Sequence, residues 1–508
     1  MKINKLMNRK QTGILLGSIV LIYIIVKALF IKPYIGMADN GDFYREMNNS
    51  GLYYLTTSFN DRHFGYFSRL YGIRQYTLDS NSILLSSLSF IIKLAVDVSK
   101  LLGYGSVFDM RILAAIYCIL FVFAFYILLS DISETIKLPA IITAVLCIFI
   151  FGDIGYIAYF SSFYGEPASF VFLFLTLAFL VRILKKQGTS ILNLLAFLIS
   201  ALVFVTAKQQ NTPAVVFILL LCFRLYALRE DKSWKLVLIA CSIFITACSA
   251  FVYLSGSNGI EHINQYHALT RGILMNSDNP EKDTEEIGID GKYSILKGTT
   301  YYDKYSIIDP ESKVMNEEFY TNYSFISIMK YYMTHSDRLD EKLNITAKNS
   351  FDIRPNVLGN YEKSEGMNYG SKAIMFSFWS TIKKRIFPDS FKFILLFYVV
   401  YFAGLIKLYV DKYRKKDTNS IIKIEAFAAV ALIGVMQFGI SFVGAGDADL
   451  AKHLFLFNVC FDFMFLSELI FLVNIIYFKL HLNDVRFIHG YRHARKHGRQ
   501  WKHSGKFI

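Results

Sequence analysis

The amino-acid sequence predicts an all-α polytopic membrane protein of about ten transmembrane helices, with an interfacial helix in its first outer loop and an extracytoplasmic soluble insertion of mixed structure. Composition is the first reason: 54% of the 508 residues are hydrophobic, 16% aromatic and only 19% charged, with a mean hydropathy of +0.38, too apolar for a soluble globular chain. Apolar runs of spanning length recur with few charges inside them. Lys and Arg gather in alternate connections, the asymmetry that orients helices across a bilayer. A net charge of +14 would point to nucleic acid in a soluble domain, but here it sits in short loops and one tail, so the expected partner is the lipid bilayer and no nucleic acid. Cys118, Cys147, Cys222, Cys241, Cys248 and Cys460 all fall in apolar runs and build no disulfide framework.

Taken in order, Lys2, Lys5, Arg9 and Lys10 precede an apolar run over 13–31 that is long for a signal peptide and lacks a small-residue cleavage site, so it reads as an anchor with its amino end in the cytoplasm. The first outer loop then covers 32–109. Within it, 82–102 is apolar but interrupted by Lys93, Asp97 and Lys100, which suits a helix lying on the membrane surface with its lysines snorkelling. Further spans fall at 111–130, 139–151, 167–184, 192–207, 214–228, 235–254, 391–408, 424–443 and 454–478. Both termini are then inside, and the inner connections hold Arg182, Lys185, Lys186, Arg224, Arg229, Lys232, Lys412, Arg414, Lys415 and Lys416. Counting 82–102 as a span would invert these loops. The domains expected are an N-terminal membrane core at 1–254, an extracytoplasmic loop domain at 255–390, C-terminal membrane helices at 391–478 and a basic cytoplasmic tail at 479–508.

Four places on the expected outer face collect polar residues. Asp39 and Asp42, in Asp39-Asn40-Gly41-Asp42, share one face if a helix begins there; Asp39 also suits a helix cap. Asp153 and Glu166 bound a short loop, and Glu166 precedes Pro167 at a helix start, where an acid also complements the helix dipole. Lys208 and Gln209 open the third place, Lys208 serving either a substrate or the membrane interface. The fourth runs from Gly444 to Asp449 and on to Lys452 and His453, where Gly-rich backbone and two adjacent cations suit a phosphate, or an ordinary turn. Sugar transfer from a polyprenyl phosphate needs a carboxylate to take the acceptor's proton and cations to stabilise the departing phosphate, and this set could supply both.

The order and spacing also resemble a family. A carboxylate motif after the first span, an interfacial stretch and Arg111 opening the next span resemble the GT-C membrane glycosyltransferases. Asp39-Asn40-Gly41-Asp42-Phe43-Tyr44-Arg45, Phe163-Tyr164-Gly165-Glu166-Pro167 and Ala451-Lys452-His453-Leu454-Phe455-Leu456-Phe457-Asn458 are similar to the glycan biosynthesis hexose transferases of the WsfD type, linked to bacterial surface glycans. The resemblance implies inverting transfer of a hexose from a polyprenyl-phosphate donor to a glycan acceptor at the outer face of the bacterial cell membrane, with Asp39 as base and Asp42 as the close alternative. Asn40-Gly41 between the two acids departs from the adjacent acids of the broader group and leaves that choice open. Some relatives hold a divalent cation such as Mg or Mn, for which Asp39, Asp42, Asp153 and Glu166 are the available ligands. A transporter or flippase of a lipid-linked glycan is the alternative function, and a passive scaffold a third; charges concentrated in outer loops rather than along span interiors argue against transport.

Overall fold

In the computed structural model, residues 2–74, 86–134, 138–185, 188–255, 258–444, 446–447 and 449–500 are described. Every apolar stretch expected to span is helical. Lys10–Leu29, Met110–Ile132, Glu166–Ile183, Lys232–Leu254, Phe391–Arg414, Thr418–Gly444 and Phe455–Lys479 are long and apolar enough to cross a bilayer, and Ala140–Phe151 with Ile154–Phe160, bent by 56°, forms an eighth candidate. Ile191–Thr206 and Val215–Tyr226, with 16 and 12 residues, fall short of the roughly 20 residues that a hydrocarbon core demands of an upright helix. They are joined by the tight turn Gln209–Ala214.

Packing is set by small residues and aromatics. A Cβ on Gly17 would lie 2.6 Å from that of Ala144, so glycine lets the first helix close onto Ala140–Phe151. Inside, Phe151, Tyr156, Phe170, Phe174 and Phe463 form a continuous cluster, with Tyr156 and Phe170 stacked at 5.1 Å. At one end of the bundle buried Asp131 accepts from Arg182 at 3.0 Å and Lys185 at 2.8 Å, uniting residues that the sequence assigns to one inner face. Lys186, 82–85, Ala445, Ala448 and 501–508, parts of the stretches read above, lie outside the described residues.

The first loop adds what an all-helical reading omits: a small antiparallel sheet in the order β1-β2-β3, with β1 Leu52–Tyr54, β2 Leu70–Ile73 and β3 Val107–Asp109. Leu52 pairs with Ile73 and Tyr71 with Phe108. Strands this short carry too few alternations to announce themselves. Ser87–Leu101 is helical, capped by Ser86, which accepts from Ser89 N. It buries Leu88, Ile92, Ala95, Val96 and Ser99 while Phe90, Leu94 and Leu101 face outward.

The insertion is made of short helices, turns and irregular backbone, with its own core of Tyr266, Leu269, Ile273, Tyr293 and Phe319. Its later part returns to the first loop: Gly36 N donates to Asn360 O at 3.0 Å, Ala38 N to Gly359 O at 3.0 Å, and Gly359 N to Phe64 O at 2.7 Å. Gly359 is required there, since a Cβ would sit 1.9 Å from Gly65 O. Backbone pairing thus fixes the extended segment that leads into Asp39.

Candidate functional site

Asp39 frames the loop. Its Oδ1 accepts from Gly41 N at 2.7 Å and Phe43 N at 3.0 Å, ordering the turn that leads into helix Phe43–Ser50, and its Oδ2 accepts from the Tyr54 hydroxyl at 2.7 Å. With His63 Nδ1 at 3.4 Å and only 1% of its side chain exposed, Asp39 is spent on holding the turn. Asp42, three residues on, has 38% of its side chain exposed. Lys452 Nζ donates to its Oδ2, and Arg45 lies 3.7 Å from its Oδ1.

Lys452 is the hinge of the cluster. It also lies 3.2 Å from Asp449 Oδ2 and 4.9 Å from the centre of the Tyr164 ring. Asn40 Nδ2 donates to Asp449 at 2.5 Å, and Asn40 N donates to the Tyr164 hydroxyl, which itself donates to Ala38 O. Asp449 adopts φ 49°, a left-handed conformation uncommon outside glycine, to hold its carboxylate in this position. Desolvation pulls the Asp42 carboxyl up, yet Lys452 and Arg45 outweigh it and hold it well below the usual carboxylate range. Burial works against charge on Lys452, and Asp42 and Asp449 overcome it to keep the amine protonated.

Next to this triad, Lys208 Nζ donates to Glu166 Oε1 at 2.7 Å. A small cavity, walled by Glu166, Lys208, Gln210, Gln437, Lys452 and His453 among others, joins the two ion pairs. His453 is not a second cation: burial, with Lys452 and Lys208 close by, pushes its imidazole down to about 3. It offers a neutral ring and a backbone carbonyl that accepts from Gln210 and Ser441.

Asp39, Asp42, Glu166, Lys208, Lys452 and His453 are therefore brought together, whereas Asp153 and Gln209 are engaged elsewhere. Asp153 caps the bent span by accepting from Gly155 N at 2.7 Å and ties it to the insertion by accepting from Ser380 N at 2.8 Å. Gln209 donates to Tyr253 O. The glycine-rich stretch departs from a phosphate-binding turn: a Cβ on Gly446 would lie 2.5 Å from His267 O, so that backbone is packed under the insertion, and Asp447 is held by Arg271 at 2.7 and 3.0 Å. Nor do the four carboxylates fit a shared cation, since Asp39 and Asp153 are filled by amide and hydroxyl donors and Lys208 takes one oxygen of Glu166 and places a positive charge beside it. Among the described residues no three potential ligands converge as a metal site.

Asn40, Tyr164 and Asp449 fall within motifs read from the sequence without being read as site residues themselves, and Gln210 and Gln437 join them. Of the last two, Gln437, a lone amide inside an apolar span, carried a signal that could have marked it.

Spanning helices around an aromatic core, with a charged cluster built over one end, define a multi-pass helical membrane protein. Residues 1–490 match the family model described as the YfdI N-terminal transmembrane domain, and the chain belongs to that family. It is 26% identical over 378 residues to "Uncharacterized protein YfdI" of Escherichia coli (strain K12), an alignment covering 72% of this chain and 76% of the relative. No solved structure gives a significant match.

Proposed function

We propose that the protein is an inverting GT-C-type glycosyltransferase of ten spans with both termini in the cytoplasm, moving a hexose from a polyprenyl-phosphate donor to a cell-surface glycan acceptor at the outer face of the bacterial cell membrane. The observation that carries this reading is the Asp42–Lys452 pair: an accessible carboxylate and a buried amine side by side, next to a second amine, Lys208.

The chemistry follows from exchange of partners. In the resting state Asp42 is a poor base, because its carboxylate is stabilised by Lys452. A donor phosphate competing for Lys452 removes that stabilisation and raises the proton affinity of Asp42 where the acceptor arrives. Asp42 then takes the acceptor hydroxyl's proton as the oxygen attacks the anomeric carbon. The bond from that carbon to the phosphate oxygen breaks, its electron pair leaving with polyprenyl phosphate, and Lys452 and Lys208 stabilise the developing charge. Attack opposite the leaving group inverts the anomeric centre.

Transport of a lipid-linked glycan would call for mobile charge along the spans. The buried acid Asp462 in the last helix is instead locked by Lys383, Tyr156 and Trp379. Incubating membranes with labelled polyprenyl-phosphate hexose and extracted surface glycan tests the proposal: a new glycosidic bond that requires Asp42 is expected, and movement of the lipid-linked sugar without bond formation would sink it.

A further inference from the structure

Two buried acceptors in the wall of the cavity have no donor. Glu166 Oε1 is taken by Lys208, but Oε2 has no hydrogen-bond partner although the residue is 1% exposed. Gln437 is wholly buried in helix Thr418–Gly444; its Nε2 donates to Gln210 O at 3.0 Å, and its Oε1 has no partner. The amide orientation is fixed by chemistry, since Gln210 O is an acceptor and only the NH₂ group can face it. Buried acceptors left unmatched cost roughly 1–3 kcal/mol each, so two in one cavity call for a ligand that donates.

The surrounding charges narrow its class. Lys208 and Lys452 flank the cavity and disfavour a cation, whereas unpaired acceptor oxygens disfavour an anion. What remains is a neutral donor. The space inside takes about one water-sized group, which fits a hydroxyl or the end of a hydroxymethyl and excludes a whole ring.

We infer that this cavity is a socket for one hydroxyl of the hexose carried by the lipid donor, its single proton shared by Glu166 Oε2 and Gln437 Oε1 in a three-centre hydrogen bond. The inference rests on the transferase reading in assigning the hydroxyl to a donor hexose, and it makes Gln437 a specificity-determining residue. An analogue lacking that hydroxyl would leave both acceptors bare, the situation in which binding sites discriminate most strongly.

Equilibrium binding to the full-length protein in nanodiscs tests it, using decaprenyl phosphate alone and decaprenyl phosphate bearing glucose, galactose or mannose. Wild type should bind at least one hexose lipid about tenfold or more tighter than the bare lipid phosphate, and a deoxy analogue at one ring position should lose that preference. Gln437→Leu and Glu166→Gln, each checked for folding by thermal melting, should bring the ratio of hexose lipid to bare lipid to within about twofold. Equal wild-type binding of all four lipids, indifference to every deoxy position, or a ratio preserved in a folded variant would each overturn the socket. Because nothing in the measurement requires turnover, a wild type that prefers a hexose lipid but transfers nothing keeps the socket and sinks the transferase reading, and transfer without preference does the reverse.

Discussion

Lys452, at the head of the last membrane helix, donates to the carboxylate of Asp42 across 410 residues of sequence. The contact joins the two ends of the chain over the bundle, and Asp449 at 3.2 Å and the Tyr164 ring complete the enclosure of the amine. One cation thereby faces two carboxylates. In the proposed transferase an incoming phosphate takes the amine from Asp42 while Asp449 continues to hold it in position.

Substitution should separate the two motif acids. Asp39→Asn retains an oxygen to accept from Gly41 and Phe43, so transfer should persist with a stability loss near that of a weakened cap, about 1 kcal/mol. On the transferase proposal Asp42→Asn removes the base and should lower kcat by about 10²–10⁴-fold. Initial rates of hexose transfer in membrane vesicles compare the two, and equal losses would deny Asp42 its role.

The two amines should also differ. On the same proposal Lys452→Gln removes the charge that meets the leaving phosphate and should lower kcat by about 10²–10³-fold. Lys208→Gln, one helix away and paired to Glu166 at 2.7 Å, should raise KM for the lipid donor more than it lowers kcat. Steady-state kinetics with varied donor measures both, and a KM unchanged in Lys208→Gln would remove that residue from donor binding.

Much of this was legible in the sequence and some was not. Spans could be found because hydropathy integrates over some twenty residues, and the Asp39–Asp42 and Lys452–His453 motifs because their polarity breaks apolar surroundings. Which motif acid orders the turn and which is accessible depends on that turn's hydrogen bonds, with Tyr54 and His63 reaching Asp39 from the loop. His453 looked like a cation because its charge is decided by burial and by Lys452 and Lys208, neighbours that only folding supplies. Gly446 looked like a phosphate cradle because sequence cannot show that His267 and Arg271 pack against it.

Two groups should leave opposite marks on stability against pH. The folded His453 imidazole is pushed from 6.5 down to about 3 by burial and the neighbouring lysines, so between those values the unfolded chain binds a proton that the folded one does not. Stability should fall as pH drops through that window. Burial raises the Glu46 carboxyl from 4.5 to about 7, so the folded chain holds the extra proton and stability should fall as pH rises from 4.5 to 7. Melting temperatures of the detergent-solubilised protein should show His453→Gln flattening the acid limb, and Glu46→Gln raising the melting temperature above pH 7. No change in either limb would reject the corresponding assignment.

The insertion is pinned to the last helix by a buried network. Lys383 Nζ donates to Asp462 Oδ1 at 2.6 Å and Asn458 Oδ1 at 2.7 Å, while Asp462 Oδ2 accepts from the Tyr156 hydroxyl and Trp379 Nε1, both at 2.6 Å. Neither charged side chain has any exposure. Removing one partner leaves an uncompensated charge in low dielectric, which costs about 3–5 kcal/mol, whereas replacing both by apolar groups of similar volume is often close to neutral. Lys383→Met should therefore destabilise strongly, and Asp462→Leu added to it should restore most of the melting temperature, leaving only the unmatched Tyr156, Trp379 and Asn458 groups to account for. Chemical denaturation of the single and double variants measures the coupling. Because helix Phe378–Ile386 also carries Ser380, whose amide holds Asp153, loosening it should release the insertion from the bent span as well. Limited proteolysis in the 350–390 segment should thus accelerate in Lys383→Met and return toward wild type in the double variant; cleavage that stays fast in the double variant would mean that the ion pair itself, and not its burial, holds the insertion in place.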